Sequence, residues 1–180
     1  MKSEVKIEVV LGDRSSPKQD DLMPVAVVLD RLRSAYNTGN IFRLAEATRV
    51  SRIFACGYTP APPHEKLRKT ARGCDELVEC ETYESAFEAI LYLKSCGFTI
   101  YGVDTIVGAV DYRETEFQFP AAFVMGNEAL GISKEALEQC DAFVSLPAFG
   151  CKNSINVGNC CAVVLFEALH QWKNRKKGSG

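Results

Sequence analysis

Apolar residues along the chain fall into short unbroken runs separated by longer periodic stretches. Pro24-Val-Ala-Val-Val-Leu-Asp30, Arg52-Ile-Phe-Ala-Cys-Gly57, Glu76-Leu-Val-Glu-Cys80, Phe98-Thr-Ile-Tyr-Gly-Val-Asp104, Ala121-Ala-Phe-Val-Met125 and Ala142 to Leu146 each read as strands, and the unbroken ones suit strands covered on both faces. Between them the spacing becomes helical: apolar positions 41, 44, 45 and 47 predict a helix opening near Asn40. Positions 86, 87, 90, 91 and 93 predict a helix from Tyr83 to Cys96, closed by Gly97, and a short helix is expected over 134–140. Pro147 stops the last strand, and Ser154 stands where the N-cap of a final helix reaching toward Trp172 belongs. Val5-Lys-Ile-Glu-Val9 alternates as a short edge strand would. Strands alternating with helices predict an α/β fold, a parallel sheet flanked by helices on both faces.

In such a sheet, ligands collect outside the carboxyl ends of the strands. The loops after Asp30, Asp104, Met125 and Leu146 are therefore the candidate site. At 180 residues and 47% hydrophobic content, the chain suits one core. We expect an N-terminal extension over 1–23, one domain over 24–174 and a loose basic tail over 175–180. No apolar stretch is long enough for a bilayer span, and the first residues lack the apolar core of a secretion signal, so a cytoplasmic location is expected. The eight cysteines lack paired zinc-site spacing and mostly lie in apolar runs, which reads as reduced core thiols and no metal.

The formal net charge of −2 conceals a division. From Arg31 to Arg72 nine Lys or Arg stand against two acids, and from Gly73 to Asp141 three stand against fourteen. A local anion-binding face follows, on a chain that is not basic overall. Neither a Gly-Lys-Ser/Thr phosphate loop nor a three-glycine dinucleotide fingerprint is present. With His64 and His170 as the only histidines, no Ser-His-Asp set is evident, and His170 reads as a packing residue.

What remains is a trio: Asn37-Thr-Gly-Asn-Ile-Phe-Arg43, Phe123-Val-Met-Gly-Asn-Glu-Ala-Leu-Gly-Ile-Ser133 and Leu146-Pro-Ala-Phe-Gly-Cys-Lys-Asn-Ser-Ile-Asn-Val157. In order and spacing these resemble the three motifs of the SpoU/TrmH family of SPOUT-class RNA 2′-O-ribose methyltransferases, over about Pro24 to Trp172. The resemblance implies a C-terminal deep trefoil knot, with the third motif as the threaded segment. It also implies S-adenosylmethionine as cofactor, RNA (tRNA or rRNA) as partner and a homodimer. Cofactor contacts are expected from Val103, Asp104, Thr105, Gly126, Asn127, Gly131, Ile132, Leu146, Ser154, Ile155 and Asn156, with Ile132 and Leu146 offering apolar faces to adenine. Catalytic roles are implied for Asn37, Asn40, Arg43, Glu128, Ser154 and Asn156. Gly158 departs from the many relatives that carry Ser there.

Because a guanidinium is a poor proton acceptor, Arg43 reads as a phosphate clamp and alkoxide stabiliser, not as a base. Phosphate contacts are expected from Arg31, Arg33, Lys66, Arg68, Lys69 and Arg72. The competing readings are a knotted protein that binds RNA or cofactor without turnover, and a base methyltransferase of the same fold.

Overall fold

The computed structural model describes residues 22–151 and 154–178. In chain order these form β1 (Met23–Asp30), α1 (Ala35–Thr48), β2 (Val50–Cys56), α2 (Glu65–Ala71), β3 (Cys80–Tyr83) and α3 (Ala86–Ser95). They continue through β4 (Thr99–Val103), β5 (Val110–Asp111), β6 (Ala121–Met125), α4 (Lys134–Leu137), β7 (Ala142–Ser145) and α5 (Val157–Gly178). The strands make one seven-stranded sheet in the order β3-β2-β1-β6-β4-β7-β5, and every paired neighbour runs parallel. The expected α/β architecture is present.

Alternation along the central strands divides the interior into two cores. Val25, Val27 and Leu29 of β1 and Phe123 and Met125 of β6 face α1 and α5, together with Ile41, Phe42, Val164 and Leu165. Ala26 and Val28, with Ala122 and Val124, face α3 and α4 through Ala89, Ile90 and Ala136. The first core is braced by three rings. Phe117 meets Phe123 at 5.0 Å and Tyr101 at 5.2 Å, both edge to face, and the Tyr101 hydroxyl accepts the Gln118 N–H at 2.8 Å.

Several elements differ from the sequence expectation. α1 begins at Ala35, not near Asn40, because Ser34 caps it: its Oγ accepts the Asn37 N–H at 3.3 Å. Gly39 is thus a mid-helix glycine, and packing explains it, since a Cβ there would run into Thr70 Oγ1 and the Ala71 backbone of α2. The strand expected at 76–80 is shifted to Cys80–Tyr83; residues 73–79 form turns from which Leu77 protrudes. α3 starts at Ala86, capped by Ser85 Oγ on the Glu88 N–H at 3.3 Å. α4 is confined to Lys134–Leu137, and the two-residue β5 had no signal in the hydrophobic pattern.

The final helix is capped by Asn156 rather than Ser154: Asn156 Oδ1 accepts from the Gly158 and Asn159 N–H groups at 2.9 and 3.4 Å. It runs on to Gly178, into the segment expected to be loose. Arg175 donates to the Phe117 carbonyl at 2.7 Å and lies over the Phe119 ring. His170 is exposed and bonded to Asn174, so it is not a packing residue. The edge strand expected at Val5–Val9 falls outside the described residues. All eight cysteines are free thiols; burial pushes Cys80 and Cys140 up to about 11 and about 12. No helix among the described residues is long and apolar enough to cross a membrane.

The three-ring cluster yields a stability test. Phe123→Ala removes a fully buried ring from the central strand β6 and should lower the unfolding free energy by about 3–5 kcal/mol, read as a lower denaturant midpoint.

Candidate active site

Three loops meet at the carboxyl ends of β4, β6 and β7 around a cavity of about 530 Å³. The loop after β6 is closed on itself. Asn127 and Gly131 exchange backbone hydrogen bonds at 3.0 and 2.9 Å, and Asn127 Oδ1 accepts the Ala129 and Leu130 N–H groups at 2.9 and 3.1 Å. Gly126 is required by this closure, because a Cβ would strike the Gly131 and Ile132 backbone. Gly126 lines the cavity, yet the space its missing Cβ leaves is taken by its own loop. Gly131, at φ +68°, lies against Asp104, whose Oδ2 would be 2.8 Å from an added Cβ.

Asp104 ties this loop to the one after β4. Its Oδ1 accepts the Thr105 N–H at 2.7 Å and its Oδ2 the Ile132 N–H at 3.3 Å. On the β1 side, the buried Asp30 accepts the Ser133 N–H at 2.6 Å and holds the Arg31 guanidinium at 3.0 Å, while Asn127 Nδ2 donates to the Arg31 carbonyl at 2.6 Å.

A second chain of bonds unites all three motifs. Asn156 Nδ2 donates to Asn37 Oδ1 at 3.1 Å, and Asn37 Nδ2 donates to Glu128 Oε1 at 2.9 Å. Glu128 also accepts the Arg33 N–H at 3.0 Å and the Ser34 N–H at 3.2 Å, placing its carboxylate at the amino end of α1. Partial burial would raise its pKa, but the N–H donors of Arg33, Asn37, Glu128 itself and Ser34 outweigh that and hold it below the ordinary carboxylate value.

Ten of the eleven residues expected to hold a cofactor line the cavity: Val103, Asp104, Thr105, Gly126, Asn127, Gly131, Leu146, Ser154, Ile155 and Asn156. The exception is Ile132, whose side chain is buried in the α3/α4 core and offers no face to a ligand. Apolar wall is supplied instead by Met125, Val144, Val157 and Cys160, which the sequence reading missed because they sit within the strand and helix ends.

Of the residues given catalytic roles, Glu128, Ser154 and Asn156 line the cavity and Asn37 backs it. Asn40 stands beside Gly158, where a Cβ would lie 2.8 Å from its Nδ2, so the missing side chain makes room for that amide. Arg43 does not line the cavity. It is exposed on α1, more than two turns in, and pairs with no described residue.

The expected phosphate contacts also separate. Arg31 is engaged by Asp30, Arg68 pairs with Glu76 at 3.2 Å, and Arg72 closes α2 at φ +53°. Arg33, Lys66 and Lys69 gather at another cleft.

Among the described residues the lining carries two carboxylates, Asp104 and Glu128, and no Lys, Arg or His. Such a donor set disfavours a pyrophosphate-bearing ligand and suits a cationic one with an apolar portion, and the volume is that of a small-molecule site. An ammonium and sulfonium ligand of the S-adenosylmethionine type fits these residues.

The model of the SpoU rRNA Methylase family matches residues 24–166. The chain belongs to this family. It is 33% identical over 166 residues to a tRNA (guanosine(18)-2′-O)-methyltransferase of Thermus thermophilus, covering 92% of this chain and 81% of that one. It is also 33% identical over 177 residues to a 23S rRNA (guanosine-2′-O-)-methyltransferase of Neisseria meningitidis, covering 97% and 68%. Among solved structures, the AdoMet-bound rRNA methyltransferase of Sinorhizobium meliloti superposes with a TM-score of 0.75 at 28% identity, covering 87% and 61%. Membership of the SpoU family implies the trefoil knot.

The Glu128 bonds make a pH prediction. Its folded pKa lies below the ordinary 4.5, so the stabilisation is complete above about pH 4.5 and is lost as pH falls through the lower folded value. Glu128→Gln should lack that component. Thermal unfolding followed from pH 7 to pH 3 should show a shallower acid loss in the variant than in the wild type.

Proposed function

We propose that this chain transfers a methyl group from S-adenosylmethionine to a ribose 2′-hydroxyl of structured RNA, a tRNA or rRNA. The observation that carries this reading is the acidic cavity built from the loops after β4, β6 and β7 and bonded through Asn37 to α1. The family match and the ribose methyltransferases among its relatives support the same reaction.

The cofactor supplies an electrophilic methyl group on a sulfonium sulfur. Asp104 and Glu128 give the cavity the negative potential that receives a cation, while Val144, Leu146 and Val157 take its apolar part. Asn37, Asn156 and Glu128 are positioning residues, because their side chains are spent on one another and on the first amides of α1 and α5. Asn40, packed on Gly158, keeps α1 and α5 in register. Ser154 presents a hydroxyl to the cavity and meets the incoming ribose.

Arg43 is the remaining cation of the first motif, and its exposure leaves the guanidinium available to RNA. It holds a phosphate oxygen next to the target ribose and stabilises charge developing on the 2′-oxygen. The new bond is O–CH₃ and the broken one is the sulfonium C–S; the hydroxyl proton goes to a phosphate oxygen or water. A homodimer in the cytoplasm is part of this reading. Phe166 is 52% exposed on α5 beside the half-buried Val163, Leu169 and Trp172, a patch suited to a second copy. Light scattering at micromolar concentration should give twice the chain mass; a monomer mass would remove the dimer from the reading.

Arg43 separates an enzyme from a binder. Arg43→Ala should leave cofactor affinity nearly intact and cut single-turnover methyl transfer by roughly two orders of magnitude, the scale of losing a charge stabiliser. Arg43→Lys should recover little, because lysine lacks the planar fork. The measurement uses saturating RNA and cofactor, and near-normal turnover in Arg43→Ala would end the assignment. Nucleoside analysis of the product separates ribose from base methylation.

A further inference from the structure

A second cleft, again of about 530 Å³, opens between the start of α1 and α2, and the cofactor cavity shares none of its lining residues. Its chemistry is the opposite of that cavity. Arg33, His64, Lys66 and Lys69 bring donors and, among the described residues, no carboxylate lines it, while Tyr36 and Pro60 supply flat apolar faces.

Tyr36 is 72% exposed and makes no hydrogen bond or ring contact with any described residue. A phenol ring held on the first turn of a helix with so much of its surface exposed braces none of the described residues. The Arg33 and Lys66 side chains likewise pair with no described residue, and Lys69 meets only Glu65 in an exposed pair at 2.6 Å, which contributes little. His64 Nδ1 accepts the Leu67 N–H at 3.2 Å, which places the proton of the neutral ring on Nε2 as a free donor.

An aromatic face beside several cationic groups matches the two halves of a nucleotide, a base that stacks and a phosphate that takes charge-assisted bonds. The base must be unpaired, because bases in a duplex already stack on their neighbours. The cleft is also joined to the reacting region: Tyr36 precedes Asn37, and the Arg33 N–H is one of the bonds that hold Glu128.

We infer that this cleft binds one unpaired nucleotide of the RNA substrate close to the methylated ribose, its base stacked on Tyr36 and its phosphate held by Arg33, Lys66 and Lys69. The inference rests on the RNA-methyltransferase reading. It adds that the enzyme recognises a flipped or single-stranded base through stacking, so that loops rather than helical stems are its targets.

The test measures binding of the full chain to two fluorescein-labelled single-stranded oligoribonucleotides of equal length by anisotropy, one of mixed sequence and one with the bases replaced by abasic sites. Tyr36→Ala should weaken binding of the base-bearing strand roughly five- to a hundredfold, the range of a lost stacking partner, and leave the abasic strand unaffected. Tyr36→Phe should bind both as the wild type does, because the ring is kept. Lys66→Ala should weaken both strands together and lessen the salt dependence. Equal binding of the base-bearing strand by wild type and Tyr36→Ala, or equal losses for both strands, overturns the inference. Methyl transfer to total tRNA and rRNA is measured in parallel. A wild type inactive on every RNA that still shows the base-dependent Tyr36 effect upholds the cleft and refutes the enzyme reading; an active wild type without that effect refutes the cleft alone.

Discussion

Two amides and a carboxylate tie α1 to the loops after β6 and β7. Asn156 at the start of α5 bonds to Asn37 in α1, and Asn37 bonds to Glu128 in the loop after β6. Each participant has a second duty at a helix end. Asn156 caps α5, Glu128 accepts the amides that precede α1, and the Asn37 N–H is the one that Ser34 caps. The polar groups that neighbouring helices would otherwise leave without partners are therefore satisfied by groups from distant parts of the chain. Loss of any one group leaves a donor or acceptor open in a half-buried setting and loosens a helix start as well.

The sheet provides the platform on which this arrangement is possible. Because β1, β4, β6 and β7 run parallel, their carboxyl ends lie on one edge, and the loops converge although they are far apart in sequence. The charge division along the chain becomes a spatial one. Acidic residues line the cavity beside β4 and β6, and cationic ones line the cleft beside α1 and α2. A cationic cofactor and an anionic polymer are thereby directed to different places by the field of the protein itself.

How far the sequence revealed this depended on the kind of signal. The runs around Val25–Leu29 and Ala121–Met125 announced central strands because both faces are covered, and the Gly126-Asn-Glu and Ser154-Ile-Asn segments lay where site loops had to lie. The start of α1 was hidden because Asn37, Thr38, Gly39 and Asn40 are poor helix formers, and only contact with Thr70 explains the glycine. Ser154 and Asn156 are both good capping residues two positions apart, and the choice between them turns on the bond to Asn37, which is tertiary. Ile132 looked like part of a ligand wall, yet the turn at Gly131 sends its side chain into the other core. The role of Tyr36 was invisible while its segment read as a polar loop.

α5 is held at both ends. Asn156 fixes where it starts, and Arg175, through the Phe117 carbonyl and the Phe119 ring, fixes where it stands some five turns later. Adding or removing one residue between those anchors would turn one end by about 100° and move it by about 1.5 Å relative to the other. The helix then could not satisfy both attachments. The number of residues between Asn156 and Arg175 is therefore as much a part of the site as any side chain, and natural length variation should be found outside that interval.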